Sequence, residues 1–216
     1  MQLKNRLYPS ARALAVLLMM GGTWLSTATA HDSAHSAHSA APLPALPGTS
    51  IYQVNAGMTD HNGREFQLPS LRGKPVLVSM FYNSCTFVCP MLIDTMQLTQ
   101  QELTGSERAR LAVLLITFDP ARDDVKALKS VLDKRELDTK QWTLARTSEP
   151  SVRKIAATLG IQYRLLPDGE YNHTTVLVLL DGQGRIVGRT QKIGAVDPAF
   201  IKLVKQTLLA GKAAGS

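Results

Sequence analysis

Three uninterrupted apolar runs dominate the pattern of hydrophobic and polar positions along the chain. They cover residues 75–82 (PVLVSMFY), 111–118 (LAVLLITF) and 175–180 (TVLVLL). Short runs without polar alternation predict strands buried on both faces, as in a sheet that helices cover on each side. Two weaker strands are predicted at 51–54 and 66–68, around a turn with the sequence Asp-His-Asn-Gly.

Helical patterns lie between and after these runs, and one hairpin follows the third of them. The helices are predicted over residues 90–103, 121–135, 151–159 and 197–209. The hairpin consists of a turn at 181–184 (DGQG) and a strand over 185–190. Strands alternating with helices, closed by a hairpin and a helix, predict an α/β fold: a thioredoxin-like sandwich with a central mixed sheet and helices on both faces.

The first thirty residues have the pattern of a cleavable signal peptide. Three basic residues precede an apolar stretch over 13–20, and the small residues at 28–30 (ATA) offer a cleavage site before His31. The alternative is an uncleaved anchor, but the uncharged run over 13–30 reaches only the lower limit of about 17–25 residues for a span, and two glycines weaken it. We therefore expect a periplasmic or otherwise extracytoplasmic protein.

Residues 31–48 are predicted to be a flexible linker. They contain His31, His35 and His38 among small polar residues, followed by three prolines. Such a composition cannot bury a core. The folded domain is therefore predicted to cover 49–216.

Composition and charge exclude some classes of function. Hydrophobic residues make up 44% of the chain and charged residues 19%, so a core can form. The formal charge is +7, but three of the 24 basic residues lie in the first thirty positions, which leaves 21 against 17 acidic residues, or +4. No block of Lys and Arg suggests a nucleic-acid partner.

The two cysteines, Cys85 and Cys89, follow the first buried run and stand where a helix is predicted to begin. Pro90 favours the first turn of that helix, and free N–H groups there stabilise thiolates. A disulfide across three residues would close only a very short loop, which gives little entropic stabilisation. Two thiols packed as small hydrophobes are the alternative; the spacing favours a redox-active or metal-binding pair.

The cysteine segment and several other motifs resemble the Sco/SenC proteins, which are copper-binding thioredoxin-like factors in cytochrome oxidase assembly. The matching segments, in the order that the family has them, are DHNG at 60–63, LRGKPV at 71–76, MFYNSCTFVCP at 80–90, FDPARD at 118–123, NHTT at 172–175 and DGQG at 181–184. The resemblance covers about residues 51–209. A lone C-x-x-x-C is a weak signal, but this combination is specific.

The resemblance implies that Cys85, Cys89 and His173 bind copper. Soft thiolates suit Cu(I), and an imidazole lets the same site accept Cu(II). His173 precedes the third buried run, whose strand is expected to end at the same sheet edge as the cysteine strand. Without the resemblance, a capping or core role would be the more common fate of a single histidine. His31, His35 and His38 either gather loosely bound copper or are only a solvated tail.

Asp119 ends the second buried run. A role as helix N-cap, with Pro120 at the first helical position, is sufficient to explain it. A position beside the copper ligands, supporting them indirectly, is the second interpretation. Arg122 and Asp123 are expected to hold the same loop.

Two functions follow from the resemblance. The first is an exported copper chaperone that delivers copper to the dinuclear copper site of cytochrome c oxidase, or buffers copper for it. The second is a thiol–disulfide oxidoreductase that reduces cysteines of a partner cuproprotein; such proteins usually have a two-residue spacer. The sequence does not indicate a peroxidase, because it does not contain the usual motif of those enzymes around a single attacking cysteine. Expected partners are the copper-bearing oxidase subunit or another cuproprotein and a copper donor, and we expect a monomer.

Two features depart from the family pattern. The segment before Cys85 reads Tyr82-Asn83-Ser84, where many relatives have a stretch that contains glycine. In addition, a cleavable signal replaces the membrane anchor of many members. The first departure concerns the shape of the site, and the second concerns docking to a membrane-bound oxidase.

Overall fold

The structure is a computed structural model that describes residues 45–213. Strands in this part of the chain fall in chain order as β1 Gly57–Asp60, β2 Glu65–Gln67, β3 Val76–Phe81, β4 Ala112–Thr117, β5 Trp142–Thr147, β6 Tyr163–Leu165, β7 Tyr171–His173, β8 Leu177–Leu180 and β9 Ile186–Thr190. The α-helices are α1 Val88–Gln101, α2 Gly105–Arg108, α3 Val125–Lys134, α4 Glu149–Leu159 and α5 Pro198–Ala213.

Seven of the strands form one mixed sheet, in the order β2-β1-β5-β4-β3-β8-β9. Strands β3, β4 and β5 are parallel, and β8 pairs antiparallel with β3. Every residue of β3 and β8 is buried, which requires cover on both faces of the sheet. This confirms the predicted thioredoxin-like α/β fold. Strands β6 and β7 pair only with each other, as a separate two-stranded hairpin.

The central sheet positions the predicted site. Val76 pairs with Leu180 and Val78 with Val178, so β8 begins beside the carboxyl end of β3. The buried hydroxyl of Ser79 donates a hydrogen bond to the carbonyl oxygen of Val176 at the same end (2.7 Å). The segment before β8, which contains His173, therefore approaches the edge where the cysteine segment leaves β3.

All three apolar runs are strands, and the predicted helices are present with boundaries that differ by a few residues. The prediction of a strand at 51–54 was wrong, because Ile51–Gln53 forms a 3₁₀-helix whose N-cap is the Ser50 side chain, which accepts from the Tyr52 amide. The partner of β2 across the Asp-His-Asn-Gly turn is β1. The second weak strand is displaced by one residue, because Leu68–Leu71 forms another 3₁₀-helix.

Besides β1, three further strands were missed, and for a shared reason. Strand β5 (WTLART) mixes polar with apolar residues, although it lies in the middle of the sheet between β1 and β4. Strands β6 and β7 have three residues each and are at most half-buried. Pairing with neighbours, which a local pattern does not contain, defines all three.

The predicted helix N-cap at Asp119 was wrong. The N-cap of α3 is Asp124, whose carboxylate accepts from the amide of Ala127 (2.7 Å). The chain first makes a tight turn in which the amides of Arg122 and Asp123 donate to the carbonyl oxygen of Asp119 (3.2 and 2.9 Å). Pro120 therefore lies in this turn and not in the first turn of a helix.

The predicted signal peptide over 1–30, the cleavage site before His31 and the histidines His31, His35 and His38 lie outside the described residues, and those predictions stay untested. Within residues 45–213, no helix combines the length and the apolar character that crossing a membrane requires.

Candidate functional site

The cysteine segment forms the junction between β3 and α1. The amide of Cys85 donates to the carbonyl oxygen of Tyr82 (3.4 Å), and α1 begins at Val88. The residue at the N-cap position, Phe87, makes no capping bond with its side chain. Instead, the amide of Cys89 donates to the sulfur of Cys85 (3.2 Å). One of the free N–H groups of the helix start is thus directed at sulfur, as the sequence predicted.

The two thiols have different environments. Burial raises the pKa of the half-buried Cys85 thiol, but hydrogen bonds from the Cys89 amide, the Cys89 thiol and the Phe87 amide outweigh it, and the net pKa is below the ordinary value. Burial raises the pKa of the Cys89 thiol, and the charges of Cys85 and Asp123 raise it further. Cys85 is therefore the sulfur that ionises first, with the Cys89 thiol as its hydrogen-bond donor.

His173 is the last residue of β7, opposite Tyr163 in the separate hairpin. Its ring packs against Phe118 (4.8 Å between centroids) and edge-on against Tyr82 (5.9 Å). Its Nδ1 lies 3.2 Å from the carbonyl oxygen of Thr174. Burial lowers the pKa of His173, which favours the neutral imidazole. With its proton on Nδ1 donated to Thr174, the ring keeps the lone pair on Nε2 for a ligand bond.

Cys85 and His173 line the same cleft, which has a volume of about 310 Å³. Tyr82 and Glu170 contribute to its walls, and so does Phe87, whose side chain is 74% exposed. Within residues 45–213, no three His, Cys, Asp or Glu side chains are grouped closely enough to hold a metal ion. The predicted approach of His173 to the cysteine edge thus agrees with the cleft, whereas ligation by Cys85, Cys89 and His173 together stays a prediction.

Two buried carboxylates lie beside this cleft and have different partners. Asp123 accepts hydrogen bonds from the amide of Asn83 (3.0 Å) and the hydroxyl of Thr117, and burial raises its pKa. It therefore fixes the loop that precedes Cys85, a contact beyond its predicted role in the loop of Asp119. Asp119 instead accepts from the guanidinium group of Arg122. Its predicted supporting role stays a prediction, and any influence on His173 passes through neighbouring side chains.

Arg122 connects Asp119 to the hairpin. Its Nη2 donates to the carbonyl oxygen of Gly169 (2.7 Å), and its guanidinium carbon lies 5.7 Å from the centre of the Tyr171 ring. The Asp-Pro loop after β4 and the β6–β7 hairpin are thus joined on one side of the cleft.

Sequence reasoning missed two residues of the site, Tyr82 and Glu170. The Tyr82 hydroxyl donates to a carboxylate oxygen of Glu170 (2.8 Å) and accepts from the amide of Tyr171 (3.4 Å). A tyrosine at the end of a buried strand needs a partner for its hydroxyl, which is a usable signal. No local signal identifies Glu170, because its role depends on the position of the hairpin.

Comparison with known proteins gives a consistent result. A family model described as SCO1/SenC matches residues 51–207. The chain is 24% identical over 177 residues to protein SCO2, mitochondrial, from Saccharomyces cerevisiae, covering 81% of this chain and 58% of that protein. The chain thus spans less than two thirds of the length of that curated relative.

Solved structures with the same fold include ScoI of Arabidopsis thaliana with copper bound. It has a TM-score of 0.61 and 17% identity, over 69% of this chain and 96% of that one. Another is BsSco, described as a member of the Sco family of cytochrome c oxidase assembly proteins in which a disulfide switch was identified. It has a TM-score of 0.61 and 21% identity, over 76% of this chain and 98% of that one. At these identities the likeness establishes the fold.

Proposed function

The chain belongs to the SCO1/SenC family, and we propose that it binds one copper ion through Cys85, Cys89 and His173 outside the cytoplasm. We further propose that it delivers this copper to the dinuclear copper site of cytochrome c oxidase, or buffers copper for that site. A copper-bearing oxidase subunit or another cuproprotein is then the recipient, and a separate copper donor supplies the ion.

One observation supports the site above all others: a segment at the end of β3 and a hairpin far along the chain present Cys85 and His173 to one cleft. The Cys89 amide contacts the Cys85 sulfur, so the second thiol is adjacent. Two thiolates and one neutral imidazole fit copper in both oxidation states, because sulfur favours Cu(I) and nitrogen accommodates Cu(II).

The assembly role is supported by the family and by what is said of its members. BsSco is described as belonging to a family of cytochrome c oxidase assembly proteins, and ScoI of Arabidopsis thaliana was solved with copper bound. The signal pattern over 1–30 supports export, which would place the protein on the side where an extracytoplasmic copper site is assembled.

A second function, thiol–disulfide exchange with cysteines of the partner, is favoured by the difference between the two thiols. Cys85 has a lowered pKa and is partly exposed, whereas Cys89 is buried with a raised pKa. In exchange, the Cys85 thiolate would attack a partner disulfide and release one partner thiolate. Cys89, once deprotonated, would then attack the mixed disulfide, which leaves both partner cysteines reduced and Cys85–Cys89 oxidised.

Anaerobic titration of the reduced protein with Cu(I) and then with Cu(II), against a competing chelator, tests the proposed ligands. We expect one tight copper per chain, and weaker binding in Cys85→Ala, Cys89→Ala and His173→Ala. Asn172→Ala is the matched control, because this exposed residue precedes His173 and leaves all three donors intact. A variant that lacks residues 31–40 shows how much of the bound copper is held by the histidine tail. Parent-like binding of both oxidation states by His173→Ala would refute the ligand assignment.

Incubation of the protein with a soluble copper-site domain of the oxidase subunit distinguishes the two functions. A chaperone moves copper to a recipient whose cysteines are already reduced. A reductase acts on an oxidised recipient without copper and leaves Cys85 and Cys89 joined. Fast reduction together with loose copper binding would favour the second function over the first.

A further inference from the structure

The hairpin that carries His173 needs an attachment of its own. Strands β6 and β7 have no backbone ladder to the seven-stranded sheet. Thr174 is the residue that follows β7, and its amide donates back to the hairpin itself, at Gln162 (2.8 Å). Apart from the chain connections at its two ends, the hairpin is therefore positioned relative to the cysteines by side chains that cross from the main sheet to it.

Tyr82 links the two halves of the site, because its backbone belongs to the cysteine segment and its side chain contacts the hairpin. It directly follows β3, and the amide of Cys85 donates to its carbonyl oxygen (3.4 Å). Its hydroxyl donates to Glu170 (2.8 Å) and accepts from the Tyr171 amide (3.4 Å), and its ring meets the ring of His173 (5.9 Å).

We propose that the Tyr82 hydroxyl is the positioning group that holds the hairpin against the cysteine segment and so sets the approach of His173 to the two sulfurs. This inference deepens the proposed function, since it takes His173 as a copper ligand. The attachment itself is a property of the metal-free protein.

Packing of the ring alone does not account for these contacts. Tyr82, Phe118, Tyr163, Tyr171 and His173 form one aromatic cluster. Within it, the Tyr163 hydroxyl is buried without a hydrogen-bond partner, whereas the Tyr82 hydroxyl has both a donor and an acceptor from the hairpin. Three tyrosines therefore belong to this cluster. The Tyr82 hydroxyl bonds from the end of β3 to the hairpin, whereas the Tyr163 hydroxyl, which lies on the hairpin itself, makes no such bond.

Arg122 is a second attachment, on the outer side of the hairpin, through Gly169 and the ring of Tyr171. Loss of the Tyr82 hydroxyl should therefore loosen the hairpin and not release it. A buried hydrogen bond typically contributes enough that its loss corresponds to a change of about three- to tenfold in a local opening equilibrium.

Amide hydrogen exchange in the metal-free, reduced protein tests the attachment. We expect Tyr82→Phe to speed exchange across residues 163–173 by about three- to tenfold. We expect Tyr163→Phe, the matched control, to leave these amides at the parent rate. Glu170→Ala should resemble Tyr82→Phe, and Glu170→Gln should resemble the parent, because its amide oxygen still accepts the bond. Equal rates in Tyr82→Phe and Tyr163→Phe would overturn the proposal.

Cu(II) affinity and the Cu(II) electron paramagnetic resonance spectrum of the same variants test the consequence. We expect Tyr82→Phe and Glu170→Ala to weaken Cu(II) binding and broaden the spectrum, and Tyr163→Phe to match the parent. Faster exchange with unchanged Cu(II) affinity and spectrum would overturn the positioning role. A parent protein that fails to bind copper, while Tyr82→Phe still loosens the hairpin, would refute the proposed function and leave the attachment supported.

Discussion

The two halves of the candidate site are built in different ways. The cysteine half is one continuous segment between a fully buried strand, β3, and a fourteen-residue helix, α1. The histidine half is a hairpin of two three-residue strands outside the main sheet. Backbone bonds and the Asp123 carboxylate fix the first half, whereas side chains hold the second, chiefly those of Tyr82, Phe118 and Arg122.

The two halves would therefore have different roles in binding copper. In the proposed copper site, the two cysteines of one continuous segment would keep their relative positions, while the imidazole on the separately held hairpin would adjust when the oxidation state of the metal changes. Cu(I) is satisfied by few soft ligands, and Cu(II) needs more nitrogen or oxygen donors.

The largest expected effect lies within the cysteine half. In the reduced, metal-free protein, iodoacetamide should modify Cys85 at least about a hundredfold faster than Cys89, because Cys85 ionises more easily and is less buried. The rate at Cys85 should rise with pH and level off at a lower pH than for a cysteine peptide in the same buffer, since a lowered pKa completes thiolate formation earlier. Peptide mapping by mass spectrometry measures both sites. Equal rates at the two cysteines would contradict the described asymmetry.

The next effect concerns the loop before the cysteines. Asp123→Ala should lower the free energy of unfolding by about 2–3 kcal/mol, because the Asn83 amide and the Thr117 hydroxyl lose their buried acceptor. Chemical denaturation monitored by circular dichroism measures the change.

Asp133→Ala is the control for that variant, since Asp133 pairs with Lys129 on the exposed face of α3. Its expected cost is below about 0.5 kcal/mol. Similar decreases in the free energy of unfolding in both variants would show that the Asp123 carboxylate does not stabilise the loop before the cysteines.

The sequence predicted the cysteine half well and the histidine half only through the family resemblance. The buried run before Cys85 and the proline after Cys89 mark a strand–helix junction by local pattern. Nothing local shows that His173 belongs to a hairpin, because β6 and β7 are too short to have a period.

The roles of the carboxylates had the same limitation. Asp119 followed by proline has the local pattern of an N-cap, yet the tight turn after β4 moves that role to Asp124. Glu170 becomes a partner of Tyr82 only after the chain has folded, so its role had no signal in the sequence.

A smaller effect is expected on the outer side of the histidine half. Arg122→Ala should speed amide exchange across residues 163–173 by about two- to fivefold, because the bond to Gly169 and the contact with Tyr171 are lost. Arg164→Ala on the exposed part of β6 is the control and should leave exchange unchanged. An unaltered hairpin in Arg122→Ala would leave Tyr82 as its principal attachment.

The smallest effect lies away from both halves, at the buried His61. Its Nδ1 accepts from the amide of Leu144 (3.3 Å), and burial lowers its pKa. The folded state therefore prefers the neutral ring, so this contribution to stability is present above the unfolded pKa of about 6.5 and is lost as the pH falls below it.

His61→Asn keeps an acceptor for Leu144 and removes the titration. Between pH 7 and pH 5, the free energy of unfolding should decline less steeply in this variant than in the parent. Copper binding at pH 7 should be unchanged, which makes the variant a reference for both halves of the site. An identical pH slope in the variant and the parent would contradict the assignment to His61.

X-ray absorption at the copper edge identifies the ligand atoms of the proposed site, on the reduced protein loaded with one Cu(I) and on the protein loaded with one Cu(II). We expect two sulfur ligands in both states and a histidine nitrogen that His173→Ala removes. A spectrum with sulfur alone in both states, or one that His173→Ala leaves unchanged, would contradict a site shared by Cys85, Cys89 and His173.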